Sequence, residues 1–255
     1  EINNPVGCIK CNIPPVINYI KDLLGLIDLY QQKYPDPDED ITDEMETIEL
    51  DYIREDLPKL IRAMREAVGR IQDLSVSLRT FSRADTDRPV ACNIHDGIDS
   101  TLMILKHRLK ANQMRPEIQV IKEYGNLPNI KCYAGQLNQV FMNLITYHID
   151  RLEMAMVGSD RIAHPTLSVT TTIVESKDKK GVMISIADNG LSLSPEDFQQ
   201  VFEPLLATPT CGQRTALGLS IAHHLVLEKH GGEIACVSPP QGGLEFRIYI
   251  PLKCN

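Results

Sequence analysis

Residues 139–154 read QVFMNLITYHIDRLEM, and residues 182–190 read VMISIADNG. The first stretch is part of a segment, residues 135–156, with the apolar spacing of a helix. In the second, apolar side chains alternate with others at every second position, which predicts a half-buried strand over residues 182–188. That strand ends at Asp188, and Asn189 and Gly190 are typical of the turn that follows.

Helices and strands alternate on both sides of these two stretches. This order predicts an α/β sandwich in which helices cover one face of a mixed sheet. The stretch 205–215 is expected to be flexible. The predicted helices are 94–111, 135–156, 195–201 and 217–230, and the predicted strands are 117–123, 167–175, 182–188, 233–238 and 244–251.

The first eighty-odd residues have a different pattern. Apolar residues recur every three or four positions from about residue 47 to residue 82 and again from 16 to 34, which predicts two amphipathic helices. Pro14 and Pro15 suit a first turn or a kink. The acidic, proline-containing stretch 33–45 is expected to be a solvated connection. Because each apolar stripe is longer than one partner helix covers, the hairpin is predicted to form a four-helix bundle with a second copy.

Composition excludes several classes of protein. The 255 residues carry a formal charge of −8, so there is no electrostatic signature of nucleic-acid binding. No apolar run is long enough to span a membrane, and the N-terminus lacks the layout of a signal peptide. The seven cysteines are an odd number and mostly lie singly, which favours a reducing compartment and a cytoplasmic location.

The order of these features resembles the transmitter core of sensor histidine kinases, the phosphoryl-transfer proteins of two-component signalling. The resemblance implies an α+β protein with a dimerising helical hairpin over residues 1–85 and a Bergerat-type ATP-binding domain over residues 86–255. YAGQLNQVFMN at 133–143 further resembles cyanobacterial kinases. The matching segments are 1–5 (EINNP, directly after the phosphoacceptor histidine), 139–154 (N box), 188–190 (first glycine box), 202–204 (F box) and 217–221 (end of the second glycine box).

The resemblance also implies ligands and partners. ATP with magnesium would be the cofactor, and a response regulator would be the partner of a homodimer. Asp188 would accept a hydrogen bond from the exocyclic amine of adenine, and Asn143 would help to hold magnesium. The residues implied around the nucleotide are Asn143, Tyr147, Asp188, Gly190, Phe202, Arg214 and Gly218.

Several of these positions depart from the family's pattern. Tyr147 stands where the N box has the second asparagine that helps to hold magnesium, and a phenol is a poor substitute for an amide oxygen. His148 replaces a small residue. Arg214 either binds phosphate through its guanidinium or is an exposed residue without a ligand. The other departures are Ser192 and Ala216 at glycine positions and Pro209 at a position that often holds lysine.

Three functions are therefore left open by the sequence. The departures favour a degenerate kinase that acts as a dimeric signalling or scaffold module. The first alternative is an active ATP-dependent protein-histidine kinase; its phosphoacceptor would precede Glu1, because all seven histidines lie beyond the hairpin. The second is a redox or metal sensor built on Cys8 and Cys11, whose CxxC spacing would supply half of a four-thiolate site from each copy of a dimer.

Overall fold

The computed structural model describes residues 3–82, 88–112, 115–156, 164–176, 179–193, 201–202, 213–239 and 242–252. The chain divides into two compact units, Glu1–Val76 and Ser77–Asn255. No helix in these described ranges is long and apolar enough to cross a membrane. The domain boundary after residue 85 stays a prediction.

The first unit is helical. Helix α1 spans Asn3–Lys33, α2 spans Glu39–Thr47, and α3 spans Leu50–Ser82, which continues into the second unit. Helices α1 and α3 share a small apolar core, and Arg54 of α3 forms an ion pair with Asp28 of α1 at 2.9 Å. The core residues are Val6, Ile13, Ile61 and Val68, with Ile17 and Ile20 packed against them.

Two predictions for this unit were wrong in detail. Helix α1 begins at Asn3, not near residue 16, and runs through Pro14 and Pro15. Val6 and Ile13 lie on the same buried stripe as the apolar residues after the prolines, so packing against α3 outweighs the cost of the prolines.

Part of the predicted connection is also helical. Helix α2 buries no residue, and Glu39 and Asp40 in its first turn stabilise it through the helix dipole. It is separated from α3 by Glu49, whose φ of 50° is incompatible with a continuous right-handed helix.

The second unit contains a five-stranded mixed sheet in the order β2-β4-β5-β7-β6. Strands β2 and β4 are parallel, and the other neighbours are antiparallel. The long helix α6 packs against α4, α7 and strand β5, which confirms the predicted α+β class. The strands are β1 (Val90–Cys92), β2 (Gln119–Tyr124), β3 (Ile130–Cys132), β4 (Thr166–Ser176), β5 (Lys179–Asp188), β6 (Glu233–Val237) and β7 (Leu244–Pro251), and the helices are α4 (Ile94–Ile104), α5 (Lys106–Leu109), α6 (Ala134–Ala155) and α7 (Gln213–His224).

The structure corrects the sequence-based elements of this unit in three places. The predicted helix 94–111 is interrupted at Leu105, whose ψ of 0° departs from helical values, and gives α4 and α5. The predicted helix 217–230 begins at Gln213 and ends in a π-helical turn, Leu225–Lys229. Strands β1 and β3 pair with each other in a separate two-stranded sheet and, at three residues each, are too short for a periodic signal. Residues 194–200 and 203–212, which hold the predicted acidic helix and most of the flexible stretch, lie outside the described residues.

His230 joins the end of the π-helical turn to the start of α6. It is 1% exposed; its Nδ1 donates to the Leu225 carbonyl at 2.9 Å, and its Nε2 accepts from the Tyr133 N–H at 3.2 Å. This arrangement requires the neutral ring, because a protonated Nε2 would face another donor. Burial lowers the pKa of His230 below its usual value, although the Leu225 and Tyr133 backbone contacts act in the opposite direction.

The free energy of unfolding is therefore expected to decrease as the pH is lowered from about 7.5 to about 5.5. The unfolded histidine takes up its proton near pH 6.5 while the folded one does not, so stability is lost below that pH by at most about 1.4 kcal/mol per pH unit. Urea denaturation across this range measures the slope. The variant His230→Gln should flatten it, whereas His224→Gln, at an exposed position, should not. Equal slopes in both variants would contradict the assignment.

Candidate functional site

The site is built where strand β5 ends beside helix α6. Asp188 closes the strand, and His148 and Arg151 lie three residues apart on α6, so both side chains reach the same carboxylate. His148 Nδ1 donates to Asp188 Oδ2 at 2.6 Å, and Arg151 Nε lies 3.4 Å from the same oxygen. The side chains of His148 and Asp188 are both fully buried, and that of Arg151 is 4% exposed.

The other carboxylate oxygen of Asp188 is also bonded. Oδ1 accepts a hydrogen bond from the backbone N–H of Gly190 at 2.7 Å. Burial by itself raises the pKa of Asp188, but the hydrogen bond from His148, the electrostatic attraction of His148 and Arg151, and the Gly190 N–H together hold this pKa below its usual value. Asp188 is therefore an ionised carboxylate whose two oxygens are both held by neighbours within the chain.

A cluster of aromatic rings packs against His148, the partner of this carboxylate. Tyr147 is 1% exposed, and its ring centroid lies 5.6 Å from that of Phe246 on β7. Phe246 also contacts His148 at 5.2 Å and Phe202 at 5.8 Å, while Phe202 lies 4.9 Å from His223 of α7. These edge and tilted contacts are favourable ring geometries, and they join Tyr147, His148, Phe246 and Phe202 into one packed cluster.

Asn143 lies one turn before Tyr147 on α6 and faces α7. A Cβ added at Gly218 would lie 3.3 Å from the Asn143 side chain, so the missing Cβ allows this close approach. The Asn143 Nδ2 and the His148 Nε2 are buried without a hydrogen-bond partner among the described residues. A buried donor without a partner is costly, and such an atom marks a place where a ligand or water is accepted.

The remaining candidate residues are not brought to one place by the described structure. Arg214 and Ala216 lie in α7, and Ser192 is exposed after β5. Glu1, the rest of the F box after Phe202, and Pro209 lie outside the described residues. Cys8 and Cys11 are exposed on α1. Within the described part of the chain, no group of three or more histidine, cysteine, aspartate or glutamate side chains is placed to hold a metal ion.

Sequence reasoning found Asp188 but missed its partners. It treated His148 only as a departure from a small residue, and it did not consider Arg151 or Phe246. The three-residue spacing of His148 and Arg151 is a signal that both face one side of α6. Nothing in the sequence indicates that this side meets the end of β5, since the ion pairs join residues 37 and 40 positions apart.

Comparison with known proteins identifies relatives of both the sequence and the fold. Residues 133–254 match the family of histidine kinase-, DNA gyrase B- and HSP90-like ATPases. The chain is 26% identical over 198 residues to the sensor kinase CckA of Brucella abortus, covering 75% of this chain and 20% of the relative. It is 31% identical over 127 residues to the sensor histidine kinase ZraS of Escherichia coli strain K12, covering 50% of this chain and 24% of the relative.

A solved structure supports the fold of the second unit. The nucleotide-free catalytic domain of histidine kinase ThkA superposes with a TM-score of 0.52 at 22% identity, over 64% of this chain and 95% of that one. The chain spans about a quarter or less of the length of CckA and ZraS. Residues 133–254 therefore form a domain of the histidine kinase-, DNA gyrase B- and HSP90-like ATPase family, and the sensor kinase relatives support a histidine kinase transmitter core.

Proposed function

We propose that this transmitter core is a dimeric signalling or scaffold module of a two-component system whose nucleotide site is closed by its own side chains. The observation that carries the proposal is the state of Asp188. In the family it resembles, the corresponding carboxylate is an acceptor for adenine. Here its side chain is fully buried, and its oxygens accept from His148, Arg151 and the Gly190 N–H.

The residue at the magnesium position supports the same proposal. Magnesium takes oxygen ligands in near-octahedral geometry. Tyr147 is buried against Phe246, and the guanidinium of Arg151 lies 5.7 Å from the centre of its ring. A positive charge over the Tyr147 ring disfavours a second cation at the same place. The donor set around α6 does not fit magnesium-bound triphosphate.

The dimer is proposed from the surface of the hairpin. Many large apolar side chains of α1 and α3 remain exposed, and a groove of about 620 Å³ between the two helices is lined by Ile17, Ile20 and Leu24 on one side and Pro58 and Ile61 on the other. A second hairpin with the same surface would cover these residues in a four-helix bundle. The exposed apolar residues include Tyr19, Leu23, Leu26, Leu29, Leu60, Met64, Ile71 and Leu74.

We also propose that the partner of this dimer is a response regulator and that the protein is located in the cytoplasm.

Calorimetric titration with a non-hydrolysable ATP analogue, with and without magnesium, tests the closed site. We expect no binding heat up to roughly 1 mM nucleotide. Circular dichroism of the same sample shows whether the domain is folded. Magnesium-dependent binding in the micromolar range would contradict the proposal.

An active protein-histidine kinase is the second candidate function, and one contact favours it. The Nδ2 atom of Asn143 is buried without a hydrogen-bond partner among the described residues, and the missing Cβ of Gly218 leaves room beside this side chain. In that case a histidine directly upstream of Glu1 would accept the phosphoryl group and pass it to a response regulator. Micromolar binding in the titration would select this function, and incubation of a longer chain with labelled ATP would then detect the phosphohistidine.

A further inference from the structure

Two cysteines that are forty positions apart in the sequence meet at the small β1–β3 sheet. The Sγ atoms of Cys92 and Cys132 lie 2.6 Å apart. The register pairs Cys92 with Ile130 and Val90 with Cys132, so the two cysteines occupy diagonal positions on the same face of the antiparallel pair. An S–S bond is about 2.0 Å long, so only a small movement separates these two thiols from bonding distance.

We propose that Cys92 and Cys132 form a reversible intramolecular disulfide, which makes this sheet a redox-responsive site. The pair is distinct from the CxxC sequence of α1 and from the contacts of Asp188. Strand β1 leads into α4 and strand β3 leads into α6, so the bond would tie together the starts of the two helices that pack on each other.

The two thiols differ in solvent exposure and in acidity, and this difference indicates which of them reacts first. Cys92 is partly exposed and lines a cavity of about 680 Å³ together with Asn93, Asp96 and Asn138, whereas Cys132 is fully buried. The hydrogen bond with Cys132 lowers the pKa of the Cys92 thiol, although burial and the charge of Asp96 oppose this effect. The thiolate is the attacking form of cysteine, so Cys92 reacts first and Cys132 resolves.

The oxidant in this reaction is a low-molecular-weight disulfide such as glutathione disulfide. The Cys92 thiolate attacks one sulfur of the oxidant, which breaks its S–S bond and releases one thiolate. The Cys132 thiolate then attacks Cys92 Sγ in the mixed disulfide and releases the second thiolate. Two electrons pass from the cysteine pair to the oxidant, and the two cysteine protons are taken up by the two released thiolates.

Cys236 supplies a matched control for this chemistry. It is partly buried, and burial, together with the charge of Asp188, raises the pKa of its thiol to about 12 although Arg151 acts in the opposite direction. Its thiolate is therefore scarce at neutral pH. Cys8 and Cys11 are exposed and three residues apart, so they provide an internal comparison within the same chain.

The test equilibrates the full chain in glutathione buffers of increasing oxidised fraction, alkylates the remaining thiols and digests the chain for mass spectrometry. We expect a peptide that links Cys92 to Cys132, with Cys236 alkylated throughout. Since the bond closes a loop of about 40 residues, the oxidised chain should melt roughly 5–10 °C higher. The variant Cys236→Ser should keep the linked peptide and the shift, and Cys92→Ser should lose both.

Two outcomes would overturn the proposal. In the first, Cys92 stops at the mixed disulfide with glutathione while Cys132 is alkylated. In the second, both residues are alkylated at every buffer ratio while the exposed Cys8 and Cys11 become linked. If Cys92→Ser folds poorly, Cys132→Ala tests the same mechanism. It removes only the resolving thiol, so the glutathione adduct on Cys92 should accumulate.

Discussion

Replacing Asp188 with alanine is expected to lower the free energy of unfolding by about 3–5 kcal/mol, as is typical when one partner of a buried ion pair is removed. The variant leaves the guanidinium of Arg151 and the ring of His148 buried without the carboxylate that they share. Urea denaturation followed by circular dichroism measures the loss. If the nucleotide site were open, Asp188→Ala should change the free energy of unfolding little, since a carboxylate that binds a ligand contributes little to the stability of the empty protein.

Two further variants separate the charge of Asp188 from its size. Asp188→Asn keeps the shape and one acceptor oxygen but removes the charge, so it should destabilise the domain less than alanine does. Glu175→Ala breaks the exposed pair with Lys180, whose atoms lie 2.8 Å apart, and should change stability little because solvent screens it. If Asp188→Ala unfolds at the same urea concentration as Glu175→Ala, the buried network does not stabilise the domain.

The pH dependence provides a second measurement on the same variants. Because the folded pKa of Asp188 is lowered, its contribution is fully present above the unfolded value of about 3.9 and is lost as pH falls through the folded value. The difference in stability between the native chain and Asp188→Asn should therefore shrink below about pH 4. A difference that stays constant into acid would show that the carboxylate is not held in its charged form.

Local patterns in the sequence predicted the long elements of this fold. The alternation at residues 182–188 placed Asp188 at a strand end, and strand β5 does end there. The pattern failed where tertiary packing decides the outcome. Helix α1 runs through Pro14 and Pro15 because Val6 and Ile13 pack with α3, and that core joins residues some fifty positions apart.

The candidate site was predictable in position but not in its contacts. Asp188 and Tyr147 were identified from the order of motifs, and Tyr147 was flagged for its chemistry. The bond from His148 to Asp188 was not predictable, because it depends on which side of α6 meets the end of β5. The closeness of Cys92 and Cys132 was hidden in the same way, since each lies singly in the sequence and their strands have only three residues each.

Restoring the family's residues on α6 is expected to open the site. The double variant Tyr147→Asn, His148→Ala should gain magnesium-dependent binding of a non-hydrolysable ATP analogue, by at least about tenfold over the native chain in calorimetric titration. Removing His148 releases its hydrogen bond to Asp188 Oδ2, so that this oxygen can accept from an adenine amine. The asparagine that replaces Tyr147 supplies an amide oxygen, which is a ligand type that magnesium accepts.

The single variants divide this effect between the two ends of the nucleotide. His148→Ala alone should bind adenosine, which needs the carboxylate but no metal, whereas Tyr147→Asn alone should bind neither ligand while Asp188 stays engaged. Tyr147→Phe is the matched control, since it keeps the ring packed on Phe246 and supplies no metal ligand. Melting curves identify any variant that no longer folds. If the folded double variant binds no better than Tyr147→Phe, the contacts of His148 and Tyr147 are not what closes the site. The better explanation is then the loss of glycine at position 192 after Asp188 and at positions 214 and 216 in the first turn of α7.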